Sequence, residues 1–279
     1  MGELRTRHRG EPKMVPMTRF IADWASFNQV LPIAIEYGLG LECQEFTNPV
    51  NLDHPDDLIR EIQDQSRSLP ALSMHGPFAE LVPATWDPLL RQVVMKRFTQ
   101  AYDITIKTGA RHLILHTGYF PKTYQREKWI ENSYNFWIDF LEDKPQTNFF
   151  HLENVYEDGF DALKELIDRI NQNQGKDRLT VNLDIGHVNA NSSRSLEDWI
   201  KGLGDRIRYV HLHNNGGILD DHWRLDKGTI DIGRVLDLLQ VYSPNAAWSV
   251  ETTVADIELS LEWLQRRGYL NENNGRAGA

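Results

Sequence analysis

Residues 179–214 read LTVNLDIGHVNANSSRSLEDWIKGLGDRIRYVHLHN, and two short apolar segments in this stretch flank a more polar one. The first apolar segment, residues 179–187, and the second, residues 207–214, both end in polar residues. Short apolar segments bounded by polar and turn-forming residues are typical of buried strands. The stretch therefore predicts a strand, a connecting helix and a second strand parallel to the first.

The same alternation runs from about residue 18 to about residue 267. Eight strands are predicted, at residues 19–24, 41–46, 72–78, 112–118, 148–155, 179–187, 207–214 and 247–252. Apolar residues at helical spacing lie between them, for example Met95, Phe98, Tyr102 and Ile106 before Gly109, or Leu163, Leu166, Ile167 and Ile170. Eight such units in about 250 residues are typical of a closed (β/α)₈ barrel. An open doubly wound sheet usually has fewer strands and a glycine-rich first turn, which this sequence lacks. We predict an α/β fold, a single-domain (β/α)₈ TIM barrel.

The predicted domain organisation is a flexible N-terminal tail at residues 1–17, the barrel at residues 18–270 and a frayed C-terminal tail at residues 271–279. The first fourteen residues, MGELRTRHRGEPKM, are basic and polar, which argues against a secretory signal. No apolar run approaches the ~20 residues of a membrane helix. Cys43 is the only cysteine, which excludes an internal disulfide and a thiolate metal cluster. These features predict a cytoplasmic protein, and they leave its oligomeric state open, association included.

Six consecutive predicted strands end in polar side chains, at the rim where the active sites of such barrels lie. They are His75, His116, His151 with Glu153, Asp184 with His187, His211 with His213, and Glu251. A single such residue is most simply a hydrogen-bonded polar group. A converging set, however, is costly unless its members share cations. Nitrogen and oxygen ligands without sulfur suit Zn²⁺, Mn²⁺ or a related divalent ion.

The predicted loop after strand 7 adds a second cluster, Asp220-Asp221-His222. Asp220 and His222 are two residues apart, so in an extended loop they can face the same way and chelate one ion. A solvated acidic turn is the alternative interpretation of this pair.

The stretches LDIGHVNA, residues 183–190, and RIRYVHLHNNGGILDDHWRLDKGTIDIG, residues 206–233, are the most specific part of a wider resemblance. The chain after its N-terminal tail resembles the xylose isomerase-like TIM barrels, a superfamily that holds sugar isomerases and epimerases together with endonuclease IV. The resemblance to the epimerases implies one metal ion bound by Glu153, Asp184, His211 and Glu251. The resemblance to endonuclease IV implies a three-zinc site with five further ligands: His75, His116, His187, Asp220 and His222.

Two details of the resemblance concern the seventh strand. His211 is preferred over His213 as the ligand because the family places an acid or amide three residues after it, as Asn214 is here. Asn214 replaces the more usual aspartate. The number of ions, one to three, stays open.

The first functional hypothesis is a metal-dependent isomerase or epimerase acting on a sugar, sugar phosphate or polyol. The metal would bind a carbonyl and its adjacent hydroxyl, while Glu153 and Glu251 transfer protons on opposite faces of the substrate. His187 would hydrogen-bond substrate oxygens as the third catalytic residue. The substrate-binding candidates are Glu45, Phe78, His213, Trp223 and Arg224, with Trp24 and Trp86 as further apolar walls. Arg224 and Lys227 are also candidates for a phosphate or carboxylate contact.

The second hypothesis is an endonuclease IV-like zinc phosphodiesterase acting on abasic DNA. The formal net charge is −10, from 30 Lys and Arg against 40 Asp and Glu, which argues against a nucleic-acid partner. The rim loops contain the basic residues Lys122, Arg194, Arg224 and Lys227, but also Asp53, Glu80, Glu157, Asp158, Asp221 and Asp226. Charge placement therefore favours a small sugar-like substrate. A non-enzymatic binding barrel is a third interpretation, and it ranks last because none of the nine ligands is lost.

Overall fold

The structure is a computed structural model that describes residues 19–145, 149–175 and 177–271. Eight parallel strands close into a barrel in sequence order, and the first strand pairs with the second and the eighth. The strands are Arg19–Ala22 (β1), Gly40–Cys43 (β2), Leu72–His75 (β3), His112–His116 (β4), Phe149–Glu153 (β5), Leu179–Asp184 (β6), Ile207–Leu212 (β7) and Ala247–Val250 (β8). The predicted single-domain TIM barrel is confirmed.

At least one α-helix follows every strand. The described residues form α-helices at Phe27–Tyr37 (α1), Pro49–Asp53 (α2), Asp56–Gln65 (α3), Pro88–Thr108 (α4), Arg126–Leu141 (α5), Asp161–Gln174 (α6), Ile185–Asn191 (α7), Leu196–Leu203 (α8), Ile232–Tyr242 (α9) and Ile257–Arg266 (α10). Short 3₁₀ helices lie at Glu45–Thr47, Ser66–Ser68, Gly204–Arg206 and Val254–Asp256. The predicted tails lie outside the described residues except for residue 271, and Asn148, the predicted start of the fifth strand, is outside them too.

The predicted strands extend too far at their C-terminal ends. The sixth was predicted to reach His187, but β6 ends at Asp184, because the Asp184 side chain accepts a hydrogen bond from the His187 backbone N–H at 2.7 Å. This contact caps the N-terminus of α7, so His187 lies in the first turn of a helix. The third and seventh strands likewise end before Phe78 and Asn214.

The strands alternate between an apolar outer face and an inner face that combines polar side chains with a small apolar cluster of Phe20, Ile114 and Ala247 around Tyr209. Leu41, Cys43 and Met74 belong to the main core under the helices. On the inner face, the hydroxyls of Ser73 on β3 and Tyr209 on β7 lie 2.8 Å apart, across the barrel. Contacts between strands that are not neighbours place these polar side chains inside the barrel.

The helices pack as their periodicity predicts, with one exception. Leu163, Leu166, Ile167 and Ile170 of α6 are all buried. In α4 Phe98 is buried, but Ile106 is about half exposed, because Ile104, Thr105 and Thr108 form the buried face near the end of this helix. Among the described residues, no helix is long and apolar enough to cross a membrane.

The end of β1 carries a buried carboxyl. Asp23 accepts hydrogen bonds from the backbone N–H groups of Ala25 at 3.0 Å and Gln44 at 2.9 Å. These bonds hold a turn in which Trp24 and Ala25 have φ values of +54° and +51°, a region that costs energy for residues other than glycine. Burial raises the pKa of Asp23 to about 8. The folded protein therefore keeps this carboxyl protonated near neutral pH.

Replacing Asp23 by asparagine tests that protonation. The folded-state pKa of about 8 exceeds the ordinary 3.8, so the contribution of Asp23 to stability is complete below about pH 4 and is lost as the pH rises towards 8. We expect the free energy of unfolding of Asp23→Asn, relative to wild type, to rise over this interval. Urea unfolding at a series of pH values measures it.

The exposed Asp103→Asn on α4 is the control for loss of a carboxylate. A difference between Asp23→Asn and wild type that is independent of pH would show that Asp23 is ionised in the folded protein.

Candidate metal centre and substrate cavity

A cavity of about 500 Å³ opens at the C-terminal rim of the barrel. Its floor consists of polar strand-end side chains, and its walls are mainly aromatic. The lining residues are Trp24, Ala25, Gln44, Thr47, His75, Phe78, Ala79, Glu80, Leu81, His116, Gly118, Tyr119, Phe120, Glu153, Val155, Tyr156, His187, Asp220, His222 and Glu251.

His211 is the centre of the floor. Its side chain is fully buried, and its Nδ1 lies 2.9 Å from Glu251 Oε2, 3.2 Å from Glu153 Oε2 and 3.6 Å from Asp184 Oδ2. Despite these neighbours Nδ1 makes no hydrogen bond of acceptable geometry. A buried nitrogen without a partner among three carboxylates is a suitable donor set for one divalent cation. The four residues that resemblance to the epimerases implies as ligands thus lie together.

The charges of this group depend on one another. Burial by itself would raise the pKa of the Glu153 carboxyl, but the imidazole of His211 holds this pKa well below its usual value. Burial would lower the pKa of His211, but the carboxylates of Glu251 and Glu42 raise it well above its usual value. The net charge of the floor therefore depends on how many of its imidazoles are protonated.

A second group shares the Glu153 carboxylate. His75 Nε2 lies 3.4 Å from Glu153 Oε2, and His116 Nε2 lies 3.4 Å from Glu153 Oε1. The ring of Phe78 stacks on His116 with a centroid distance of 4.5 Å. Burial lowers the pKa of His116 to about 3, so this imidazole is neutral and offers a lone pair at neutral pH.

A third group lies on the loop side of the cavity. Asp220 Oδ2 is 3.0 Å from His187 Nε2 and 2.8 Å from His222 Nε2. The other ring nitrogens are within hydrogen-bond distance of backbone oxygens, His187 Nδ1 of Asn154 and His222 Nδ1 of Glu251, which aims both Nε2 atoms at Asp220. The structure therefore brings together all nine predicted ligands, in three adjacent groups at one rim.

Asn214 holds the loop that carries Asp220 and His222. Its amide nitrogen donates to the carbonyls of Leu225 and Ile230 at 3.1 Å each, and its Oδ1 accepts the backbone N–H of Ile230 and of Asn215 at 3.0 Å each. An aspartate in this place could not donate to two carbonyls. These contacts explain why an amide stands where the family usually has aspartate.

Four of the predicted substrate contacts do not line the cavity. Glu45 accepts the backbone N–H of Phe27 at 3.1 Å and so supports the start of α1. His213 is fully buried behind the floor, with Nε2 3.0 Å from Asp184 Oδ1. Arg224 pairs with Asp226 at 2.6 Å, and the Trp223 backbone pairs with that of Asn214.

Of the remaining apolar candidates, Phe78 and Trp24 do line the cavity, whereas Trp86 lies in a separate surface groove. Lys227 lies over the ring of Trp223, 5.0 Å from its centroid. No lysine or arginine in the described part of the chain lines the cavity.

Sequence reasoning missed two residues of the second strand and its end, Glu42 and Gln44. Gln44 Nε2 donates to Glu251 Oε1 at 2.6 Å, and Glu42 lies beside His211. The signal was the acid at the third position of the short buried strand GLEC, residues 40–43, where strand periodicity places residues 42 and 44 on the same face.

The chain also matches known proteins. A family model described as a xylose isomerase-like TIM barrel matches residues 26–267. An uncharacterized protein of Methanocaldococcus jannaschii is 23% identical over 206 residues, which cover 69% of this chain and 76% of that protein. A second protein of the same organism is 22% identical over 216 residues, covering 75% and 72%.

Solved structures show the same fold. A Thermus thermophilus protein soaked with ZnCl₂ is 23% identical with a TM-score of 0.74, covering 89% of this chain and 96% of that one. A D-psicose 3-epimerase from Clostridium cellulolyticum H10, solved with D-tagatose, is 16% identical with a TM-score of 0.69, covering 91% and 96%. The IolI protein with a bound zinc atom is 14% identical with a TM-score of 0.75, covering 92% and 100%.

Asn214→Asp tests the support of the loop. The change keeps the size of the side chain but places a carboxylate oxygen against two carbonyl oxygens, which costs roughly 1–3 kcal/mol. We expect faster amide hydrogen exchange across residues 214–231, measured by mass spectrometry. The exposed Asn173→Asp on α6 is the control, and unchanged exchange in the loop of Asn214→Asp would contradict the role of Asn214.

Proposed function

Because the chain belongs to the xylose isomerase-like TIM barrel family, we propose that it is a divalent-metal-dependent isomerase or epimerase of an uncharged sugar or polyol. One observation carries the proposal: three carboxylates converge on the unpartnered Nδ1 of His211, below a cavity with aromatic walls and no lysine or arginine among its described lining residues. The active sites of (β/α)₈ barrels lie at the C-terminal rim, where this cavity opens.

Glu153, Asp184, His211 and Glu251 would hold the metal ion. Their donor set, one imidazole nitrogen with carboxylate oxygens, suits Zn²⁺ or Mn²⁺. When bound, such an ion supplies Lewis-acid polarisation of a carbonyl group, which acidifies the neighbouring C–H bond.

Glu153 and Glu251 are the proposed proton carriers. Glu153 lies on β5 and Glu251 follows β8, so the two carboxylates approach the cavity from different sides of the barrel. One carboxylate can remove the proton from one face of the carbon next to a carbonyl, and the other can return a proton to the opposite face. His187 lines the same cavity and orients substrate oxygens by hydrogen bonding.

The walls favour an uncharged, partly apolar substrate. Trp24, Phe78, Phe120 and Tyr156 line the cavity and remain 38–45% exposed, which leaves their rings accessible to the C–H faces of a sugar. A phosphate group would find no lysine or arginine among the described lining residues. The structural relatives include epimerases solved with D-tagatose and with D-allulose, which is consistent with a sugar ligand.

A zinc phosphodiesterase is the second candidate function, because the group formed by His187, Asp220 and His222 is more than a single-ion site requires. The charge of the cavity opposes this candidate. Glu80 and Asp220 line it, and a polyanion would meet these carboxylates without a lysine or arginine from the described lining.

Glu251→Gln tests the proton-carrier role. The change keeps the shape of the side chain but removes its basicity and weakens its affinity for a metal, so we expect turnover to fall by at least about 100-fold. The measurement is incorporation of deuterium from D₂O into a panel of ketoses, followed by NMR. The exposed Glu258→Gln on α10 is the control, and undiminished exchange in Glu251→Gln would exclude the mechanism.

Asp220→Asn separates the two candidate functions. We expect the variant to keep the ion of the His211 group, by elemental analysis, and to retain most of its turnover on a ketose, because that group keeps all its ligands. Loss of sugar turnover, together with abasic-DNA cleavage by the wild type and not by the variant, would instead establish the phosphodiesterase.

A further inference from the structure

Strand β2 places a carboxylate beneath the proposed metal centre. Glu42 is fully buried, and its Oε1 and Oε2 lie 3.1 Å and 3.2 Å from Nε2 of His211. The mechanism proposed above makes no use of this residue, and Glu42 does not line the cavity. Its carboxylate lies at the edge of the His211 ring that carries Nε2, and Glu153, Asp184 and Glu251 lie at the edge that carries Nδ1.

We propose that Glu42 is the positioning residue of the metal centre, acting through His211. A carboxylate facing Nε2 keeps a proton on that nitrogen, so Nδ1 is the nitrogen that would give up its proton and offer a lone pair to a metal ion bound among the three carboxylates on the other side of the ring. The same contact fixes the rotation of the imidazole. Metal-binding histidines in proteins are commonly oriented by such an outer carboxylate. The inference rests on the proposed metal centre and adds the residue that prepares it.

A directed chain of hydroxyl groups holds Glu42 in place. The Tyr209 hydroxyl donates to Glu42 Oε2 at 2.9 Å, so the Ser73 hydroxyl, 2.8 Å from that of Tyr209, is the donor to Tyr209. Tyr209 is two residues before His211 on β7, and both face the barrel interior. An unpaired buried carboxylate would be costly, whereas Glu42 has donors from two residues of one strand.

Gln44 extends the influence of β2 to a second ligand. Its Nε2 lies 2.6 Å from Glu251 Oε1 and 3.4 Å from Glu42 Oε1. With Oε1 of Glu251 held by this amide, Oε2 is the atom that faces His211 Nδ1 at 2.9 Å. Glu42 and Gln44 therefore orient ligands on the last two strands of the barrel, β7 and β8.

The test is metal binding by Glu42→Gln. Glutamine keeps the size of the side chain but lacks the charge, so its amide oxygen holds the proton of His211 Nε2 more weakly than the carboxylate does. We expect affinity for Zn²⁺, measured by competition with a chromophoric chelator, to fall roughly 10–100-fold. We also expect the visible absorption of the Co²⁺-loaded protein to change, since the orientation of a ligand changes. The exposed Glu262→Gln on α10 is the control.

Tyr209→Phe is a second variant, which keeps the ring and the Glu42 carboxylate but removes the hydroxyl donor. We expect it to weaken Zn²⁺ affinity less than Glu42→Gln, with the same change in the Co²⁺ spectrum, and it serves as the test if Glu42→Gln does not fold.

Two results would overturn the inference, and they have different consequences for the proposed function. If wild type binds Zn²⁺ while Glu42→Gln, folded by circular dichroism, has the same affinity and the same Co²⁺ spectrum, Glu42 is a structural residue and the proposed function stands. The same conclusion holds if Tyr209→Phe is the folded variant and neither measurement changes. If wild type itself binds neither metal, the proposed metal centre fails and the role of Glu42 fails with it.

Discussion

The balance of charge around His211 is the constraint on which the rest of this structure depends. Three carboxylates face one nitrogen of the imidazole and a fourth, that of Glu42, faces the other. Carboxylates at such distances in a buried place repel one another unless protons or cations lie between them. The barrel can close over these side chains because its inner face also carries imidazole, hydroxyl and amide donors. Folding and chemistry are therefore served by the same interior, while most of the apolar residues that stabilise the fold lie on the outer face, under the helices.

The architecture and most of the site could be predicted because they depend on periodicities in the sequence. Strand and helix patterns alternate eight times, and parallel closure brings the strand ends to one rim, so Glu153, Asp184 and Glu251 had to lie near one another. The interior of a strand is harder to interpret. Glu42 stands in a strand of only four residues, which is too short for alternation to show which face it occupies. Glu45, three residues further along the chain, was selected as the candidate in its place.

Side-chain partners account for the other differences between prediction and structure. His187 was assigned to a strand because nothing local shows that the Asp184 carboxylate would cap a helix. His213 was predicted to contact substrate, but Gly186 lacks the Cβ that would lie 1.9 Å from the His213 ring, and this close approach seats the imidazole behind Asp184. Arg224 was predicted to face the cavity, yet Asp226 lies within reach of it. Each of these outcomes depends on a contact between residues whose relative orientation no spacing rule specifies.

The contacts of Asp184 have a consequence for the size of ion that the rim can accommodate. Its Oδ1 accepts from the backbone N–H of His187 and lies 3.0 Å from His213, so this carboxylate can shift only at the cost of the cap of α7. Asp220, in contrast, belongs to a loop, and its side chain is about one-third exposed. Coordination distances differ by several tenths of an ångström between small and large divalent ions. Asp184 thus fixes one side of the group around His211, whereas the group around Asp220 can expand or contract with its occupant.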